Sequence, residues 1–457
     1  MFILKNKTAE NGKIIKGAAL LAAGAFIAKL IGALYRIPLT NMLKSEGIGL
    51  YQMVFPVYTL LLEFSGAGVP AALSVLISGY SGEYKEEYAR RVLKNAVKLF
   101  AALGGIGMLF LIVFGKPLSA LQGDSNAVYG YLFMAPAVFF TAIISCYRGY
   151  FQGLMNMSPT AVSQIIEQVI KLSIGLILVS VLLPDVPLAV GGATLAVSLS
   201  ELFALIYLFI LYKRKNKNCD LPLERAVFPS DIKKIISFVI PITLVGSIIP
   251  LSHISDSFFI INILSGYKEN ATSLYGLLSG AANTVINLPV SMLFAFATVT
   301  LPAVASAKRG ETEEKEKITI FSTLIISVIF AALCYFLSPI AVKILFYSLS
   351  PVDKAITVRL IKLTSGNVVF LSVLQTVNSV HIARKKPYTP LIGTVFGVIL
   401  KTVLYPIFLK NPSLNIYGGA VCFFACYFSA CLINLILLMN LRVKDEVKKP
   451  YGRKTAC

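Results

Sequence analysis

The chain has 457 residues, 56% of them hydrophobic and 14% charged, with a formal net charge of +20. So apolar a composition excludes a soluble globular domain of this length. The basic residues are dispersed over short loops with no basic soluble domain to carry them, which argues against a nucleic-acid partner.

Windows of about 20 apolar residues recur along the whole length, each long enough to cross a hydrocarbon core of about 30 Å. The expected fold is an all-α polytopic membrane protein with twelve transmembrane helices. They fall at roughly 14–36, 49–78, 93–114, 128–148, 160–183, 188–212, 235–264, 272–305, 318–347, 359–383, 388–410 and 413–441. Pro241, Pro250, Pro289 and Pro302 offer places for kinks. Four Lys precede the first run, as in a signal peptide. No small-residue cleavage site follows and many more spans do, so a retained first helix is expected. The seven cysteines have no metal-ligand spacing, and Cys422, Cys426 and Cys431 read as small packing residues within one span.

Loop charge sets the orientation. Of 42 Lys and Arg, 30 lie on the side shared with the N-terminus and nine on the opposite side: Arg36, Lys44, Lys116, Lys268, Lys343, Lys354, Arg359, Lys362 and Lys410. The other three, Lys29, Lys171 and Lys401, sit inside spans. Both termini are therefore expected in the cytoplasm.

The expected division is an N-lobe over 1–212, a cytoplasmic linker over 213–234, a C-lobe over 235–442 and a basic cytoplasmic tail over 443–457. Gly191-Gly192-Ala193 and Gly418-Gly419-Ala420 stand at matching places in the two halves, each before a charged cytoplasmic exit. Lys171 and Lys401 correspond in the same way. Six spans per half make a parallel repeat, as in transporters that rock two lobes about a central site. The alternative is chance similarity between Leu-, Ala- and Gly-rich segments.

The stretch Tyr147 to Lys171 carries the clearest signal. Ser158-Pro159 reads as a helix start, with Ser as the cap and Pro in the first turn. Gln164, Glu167, Gln168 and Lys171 then fall at i, i+3, i+4 and i+7, one polar stripe on an otherwise apolar helix. A soluble helix hides its apolar stripe; this one has to hide its polar one.

Charges within spans cost a few kcal/mol or more each, so they face a partner or a water-filled cavity. Glu167 and Lys171 could form an intrahelical ion pair. Lys401 has Gly397, not a carboxylate, at the corresponding place, and is expected to face a central cavity. Lys29 and Arg36 lie seven apart on one side of span 1. Together these cations would make a path for a phosphate or pyrophosphate head group. Pairing with Glu63, Glu201 or Asp256 is the structural alternative. Asp256 with His253 could bind Na⁺ or H⁺ for coupling, helped by Asn378 and Thr394, or could bridge backbone groups. The sequence contains no Walker-type phosphate loop and no HExxH, so an enzyme and a resident cofactor are not expected.

RGYFQGLMNMSPTAVSQIIEQVIK resembles the stretch joining helices 4 and 5 in stage V sporulation protein B-like polysaccharide-biosynthesis flippases. IGALYRIPLTNMLKSEGIGLYQMVFPVYTLLLEFSGAGVPAALS and TPLIGTVFGVILKTVLYPIFLKNPSLNIYGGA are similar to helices 1–2 and 11–12 of the wider multidrug/oligosaccharidyl-lipid/polysaccharide exporter superfamily. The resemblance implies two six-helix lobes in a V that opens alternately to either side. It also implies a lipid-linked saccharide substrate, with MurJ-type lipid II flippases as close relatives. Those relatives carry cations in helix 1, and Lys29 and Arg36 are the matching residues here. Many relatives have two further helices that hold the lipid tail, whereas this chain is expected to stop after span 12. The expected protein is a monomeric flippase of an undecaprenyl-pyrophosphate-linked saccharide, driven by an ion gradient or membrane potential and associated with cell-wall synthesis proteins. A cation-coupled multidrug exporter of the same superfamily is the alternative, with the buried carboxylates dominating its site. A membrane scaffold is the third reading.

Overall fold

In hydrocarbon every backbone N–H and C=O has to be satisfied within its own segment, so apolar runs of this length fold as helices. A computed structural model describes residues 2–80, 85–217, 229–293, 312–384, 386 and 388–447, which form helices joined by turns. The expected end of span 8 (294–305), residues 218–228 of the linker and the tail from 448 lie outside the described residues.

In chain order the helices are α1 (Phe2–Leu62), α2 (Val69–Ser78), α3 (Lys85–Leu121), α4 (Val128–Gly153), α5 (Ser158–Leu182) and α6 (Val186–Lys215). They continue as α7 (Pro229–Gly246), α8 (Ile248–Ser265), α9 (Ala271–Tyr275) and α10 (residues 283–293). The last are α11 (Thr312–Leu345), α12 (Pro351–Thr364), α13 (Gly366–Ala383), α14 (Thr389–Leu409) and α15 (Ile416–Val447). Among the described residues, ten helical runs are long and apolar enough to cross a membrane, and the bent pair α12–α13 makes an eleventh. The first run, Ala23–Ser78, has 56 residues. At 1.5 Å per residue it extends about 84 Å, more than twice the thickness of a hydrocarbon core. Lys44, at φ 54° and ψ −160°, breaks its helical backbone and divides it into two spans. With that division the helices account for the expected twelve, and the chain is a multi-pass membrane protein.

Local chemistry explains most of the boundaries. Asp185 caps α6 by accepting from the Leu188 N–H at 3.0 Å, and Ser350 caps α12 by accepting from the Asp353 N–H at 3.0 Å. At α5 the expected cap is corrected: the helix already includes Ser158, Met157 holds the cap position without a side-chain hydrogen bond, and Pro159 occupies the first turn. Span 7 is interrupted between Gly246 and Ile248, between the two prolines expected to disturb it. A π-helical turn, Glu63–Ala67, separates α1 from α2, and α12 bends away from α13 by 47°.

The chain divides into two compact units, one of residues 1–262 with 270–276, the other of 263–269 with 277–457. In unit 1, α4 packs on α3 and α6, and α5 lies on α6 and α1. Leu73, Leu93, Phe100, Tyr150 and Leu208 are part of its core. In unit 2, α13 packs on α11 and α15 around Val373, Val377 and Leu438, and α14 lies along α15. Large side chains such as Val181 in unit 1 and Phe336 in unit 2 are 72% and 74% exposed, as lipid-facing positions require.

Candidate functional site: a cationic recess in unit 1

The polar stripe of α5 meets α1 across a recess of about 350 Å³. Gln164, Glu167, Gln168 and Lys171 all line it, so the helix does turn its polar face inward. From α1 come Gly32, Tyr35 and Arg36, and from beyond the Lys44 break come Tyr51 and Phe55. Small residues let the helices approach. A Cβ on Gly32 would stand 3.0 Å from Gln168 Oε1, and one on Gly175 would stand 2.6 Å from the Tyr35 hydroxyl.

The electrostatics differ from the expected intrahelical pair. Glu167 pairs with Arg148 of α4, whose Nε also donates to Ser163 Oγ at 3.0 Å. Among the described residues no ion pair joins Glu167 to Lys171. The reason is geometric. The turn after Gly153 makes α4 and α5 a helical hairpin, so Arg148 and Ser163, about equally far from that turn, face each other. A guanidinium fork fits a buried carboxylate better than the i+4 ammonium on the same helix.

Lys171 turns instead to an aromatic face, with Nζ 5.8 Å from the Tyr35 ring centroid. The Arg36 guanidinium carbon is 6.0 Å from the Phe55 centroid, and Phe55 is stacked on Tyr51 at 5.6 Å. With Glu167 paired, Arg36 and Lys171 are the other cations on the recess wall among the described residues. Among the described residues, two polar atoms of the lining, Tyr35 Oη and Gln164 Oε1, are buried without a hydrogen-bond partner. A bound group or ordered water would satisfy them. Lys29 lies on α1 in register with Ala25, Gly32 and Arg36; its side chain is outside the described residues.

Glu201 stands within electrostatic reach of Glu167, Arg148 and Lys171, and the other singled-out residues are dispersed. Glu201 on α6 is buried and accepts from the Tyr58 hydroxyl at 3.4 Å, while its Oε2 has no hydrogen-bond partner among the described residues. Glu63 opens the π-helical turn, and its carbonyl accepts from Thr243 Oγ1 at 2.9 Å. Its carboxylate occupies the space a side chain at Gly246 would need. His253 Nδ1 and Asp256 Oδ2 are 3.3 Å apart in unit 1, with Asp256 1% exposed.

Asn378 and Thr394 belong to a different arrangement in unit 2, centred on Asn434. Asn434 Nδ2 donates to Asn378 Oδ1 at 2.8 Å and to the Pro390 carbonyl at 2.9 Å, and its Oδ1 accepts from the Gly393 N–H at 3.2 Å. Thr394 Oγ1 donates back to the Pro390 carbonyl at 3.0 Å. Lys401 is 3% exposed, with Nζ 5.1 Å from the Phe423 ring of α15. Its ammonium lies toward α15 within the α14–α15 packing.

Arg148 carries no periodic signal of its own in the sequence, although its symmetry with Ser163 about the α4–α5 turn can be counted there. The aromatic wall left no such signal, because it is brought up by the backbone break at Lys44.

The polysaccharide biosynthesis protein family matches residues 14–308. The chain is 26% identical to stage V sporulation protein B of Bacillus subtilis (strain 168), over 94% of this chain and 85% of that protein. It is 28% identical to the lipid II flippase MurJ of the same organism, over 65% of this chain and 58% of that protein. Among solved structures, its fold is similar to an inward-facing multidrug resistance MATE family transporter of the MOP superfamily. That match has a TM-score of 0.79 at 16% identity and covers 92% of this chain and 96% of the other. The chain belongs to the polysaccharide biosynthesis protein family.

Proposed function

We propose that the chain flips an undecaprenyl-pyrophosphate-linked saccharide, a lipid II-like peptidoglycan precursor or a polysaccharide unit, from the cytoplasmic to the outer leaflet. The single observation that carries this reading is the sign of the unit 1 recess. The carboxylate of its lining, Glu167, is paired by Arg148, and with Glu201 behind it the cations Arg148, Arg36 and Lys171 still outnumber the carboxylates and favour an anion. A pyrophosphate is the matching head group, because cations in a poorly solvated site bind phosphate oxygens through charge-assisted hydrogen bonds. Gln164, Gln168 and the Tyr35, Tyr51 and Phe55 rings suit a sugar, which offers hydroxyls and apolar faces. Lys29 shares the α1 register and extends the cationic path. The names of the relatives, a lipid II flippase among them, support the same substrate class.

In this reading the head group crosses by alternating access of the two halves, 1–212 and 235–442, while the lipid tail stays in the bilayer. The protein works as a monomer with both termini in the cytoplasm, close to cell-wall synthesis proteins. His253 and Asp256 are the candidate Na⁺ or H⁺ coupling pair.

A second reading, a cation-coupled multidrug exporter, is favoured by one observation: among the described residues, Glu201 keeps a buried oxygen without a hydrogen-bond partner. Depleting the protein and measuring lipid-linked saccharides in each leaflet separates the two. Accumulation in the cytoplasmic leaflet supports the flippase. An unchanged leaflet distribution, with loss of efflux of an organic cation such as ethidium, supports the exporter.

A further inference from the structure

We propose that a second basic recess, in unit 2 between the end of α11 and α12, binds the phosphate head group of an anionic phospholipid. The recess holds about 410 Å³ and is bordered by Lys343 from the last turn of α11 and by Lys354, Arg359 and Lys362 from α12, over a floor that includes Val342 and Val358.

The sequence of α12 builds one wall. Lys354, Val358 and Lys362 repeat every fourth residue with Arg359 beside them, which confines them to a stripe about 140° wide at 3.6 residues per turn. The adjacent Asp353 lies off that stripe and takes no part in the lining. Among the described residues, none of the four cations is within ion-pair distance of a carboxylate. Lys354 Nζ donates to the Tyr347 carbonyl at 2.6 Å, and Lys362 Nζ stands 5.4 Å from the Tyr335 ring. Both are neutral partners that leave the charge uncompensated. Four like charges around one recess repel, and an anion placed among them removes that cost.

The distribution of cations along the chain makes this gathering notable. The side of the membrane that loop charge assigns to the exterior has nine of the 42 Lys and Arg, and these four are among them. The surroundings specify an amphiphile rather than a free ion. Ile340, Ile344, Tyr347 and Val352, on and beside the same two helices, are each more than half exposed. A phosphate at the cations leaves its acyl chains against those apolar side chains, the arrangement a basic interhelical pocket offers a lipid.

The test uses the full-length protein in nanodiscs of phosphatidylcholine, titrated with phosphatidylglycerol or cardiolipin. Binding is read by native mass spectrometry and by the thermal midpoint. The site predicts retained anionic lipid and a raised midpoint. Lys354→Gln/Arg359→Gln/Lys362→Gln should lose at least about tenfold in apparent lipid affinity, with the phosphatidylcholine midpoint unchanged. The control Lys213→Gln/Arg214→Gln/Lys215→Gln, at the end of α6, should keep it. Should the triple variant fold poorly, Arg359→Gln alone is expected to lose part of the affinity. Equal losses in the α12 and α6 variants, or a response to inorganic pyrophosphate with none to anionic lipid, would overturn the assignment.

Discussion

The Arg148 guanidinium of α4 pairs with the Glu167 carboxylate of α5, and this leaves Lys171, one turn further along α5, facing the Tyr35 ring. The carboxylate at four-residue spacing from Lys171 is thereby taken up by the neighbouring helix. The positive sign of the unit 1 recess follows in part from that exchange.

Lys171→Gln should reduce saccharide flipping by about tenfold or more, the worth of one charge-assisted contact to phosphate, with membrane insertion and monodispersity unchanged. Lys171→Arg should retain most activity. Transport at the wild-type level in the Gln variant, measured in cells depleted of the native protein, would remove Lys171 from the substrate path.

Arg148→Met should destabilise the protein by about 3–5 kcal/mol, because it leaves Glu167 charged and buried without its partner. Adding Glu167→Gln to that variant should recover most of the loss. Thermal unfolding in detergent of the two single variants and the double variant checks this. Additive losses would mean that the pair is not coupled.

Lys401→Met is expected to behave unlike Lys171→Gln. Lys401 is 3% exposed with its ammonium toward Phe423, so Lys401→Met should act on stability more than on transport by the folded protein. A large transport defect in a well-folded Lys401→Met protein would restore Lys401 to the substrate path.

Asn434→Ala removes the amide that joins Asn378, the Pro390 carbonyl and the Gly393 N–H. A loss of about 1–2 kcal/mol is expected, since interhelical hydrogen bonds in membranes average well under that value singly and three are broken together. Thermal midpoints of the Ala and Gln variants measure it.

Asp256→Asn should abolish any dependence of transport on a Na⁺ or proton gradient. Unchanged ion dependence in proteoliposomes would take the His253–Asp256 pair out of coupling.

The helices were legible because hydrophobic length is set by bilayer thickness, a constraint that acts on sequence directly. The α5 stripe was legible for a related reason: four polar residues at helical spacing can be hidden in only one direction. What stayed hidden depends on contacts between distant segments or on backbone that leaves the regular pattern. The Lys44 break, which brings Tyr51 and Phe55 to the recess, and the π-helical turn at Glu63 have no periodicity to betray them. The Arg148–Glu167 pair could be traced only by counting outward from the α4–α5 turn. Lys401 shows the opposite limit. Its station matched that of Lys171, but the burial of each is decided by its neighbouring helices.

The most direct test of the cationic-recess account is leaflet-specific flipping by the full-length protein in proteoliposomes. These would carry an undecaprenyl-pyrophosphate-linked saccharide, with wild type compared against Lys171→Gln and a membrane-impermeant sugar-modifying reagent added outside. The account predicts rapid modification of inner-leaflet substrate with wild type and a rate at least about tenfold slower with the variant. Equal rates for the two proteins, or a wild-type rate no faster than empty liposomes, would contradict it.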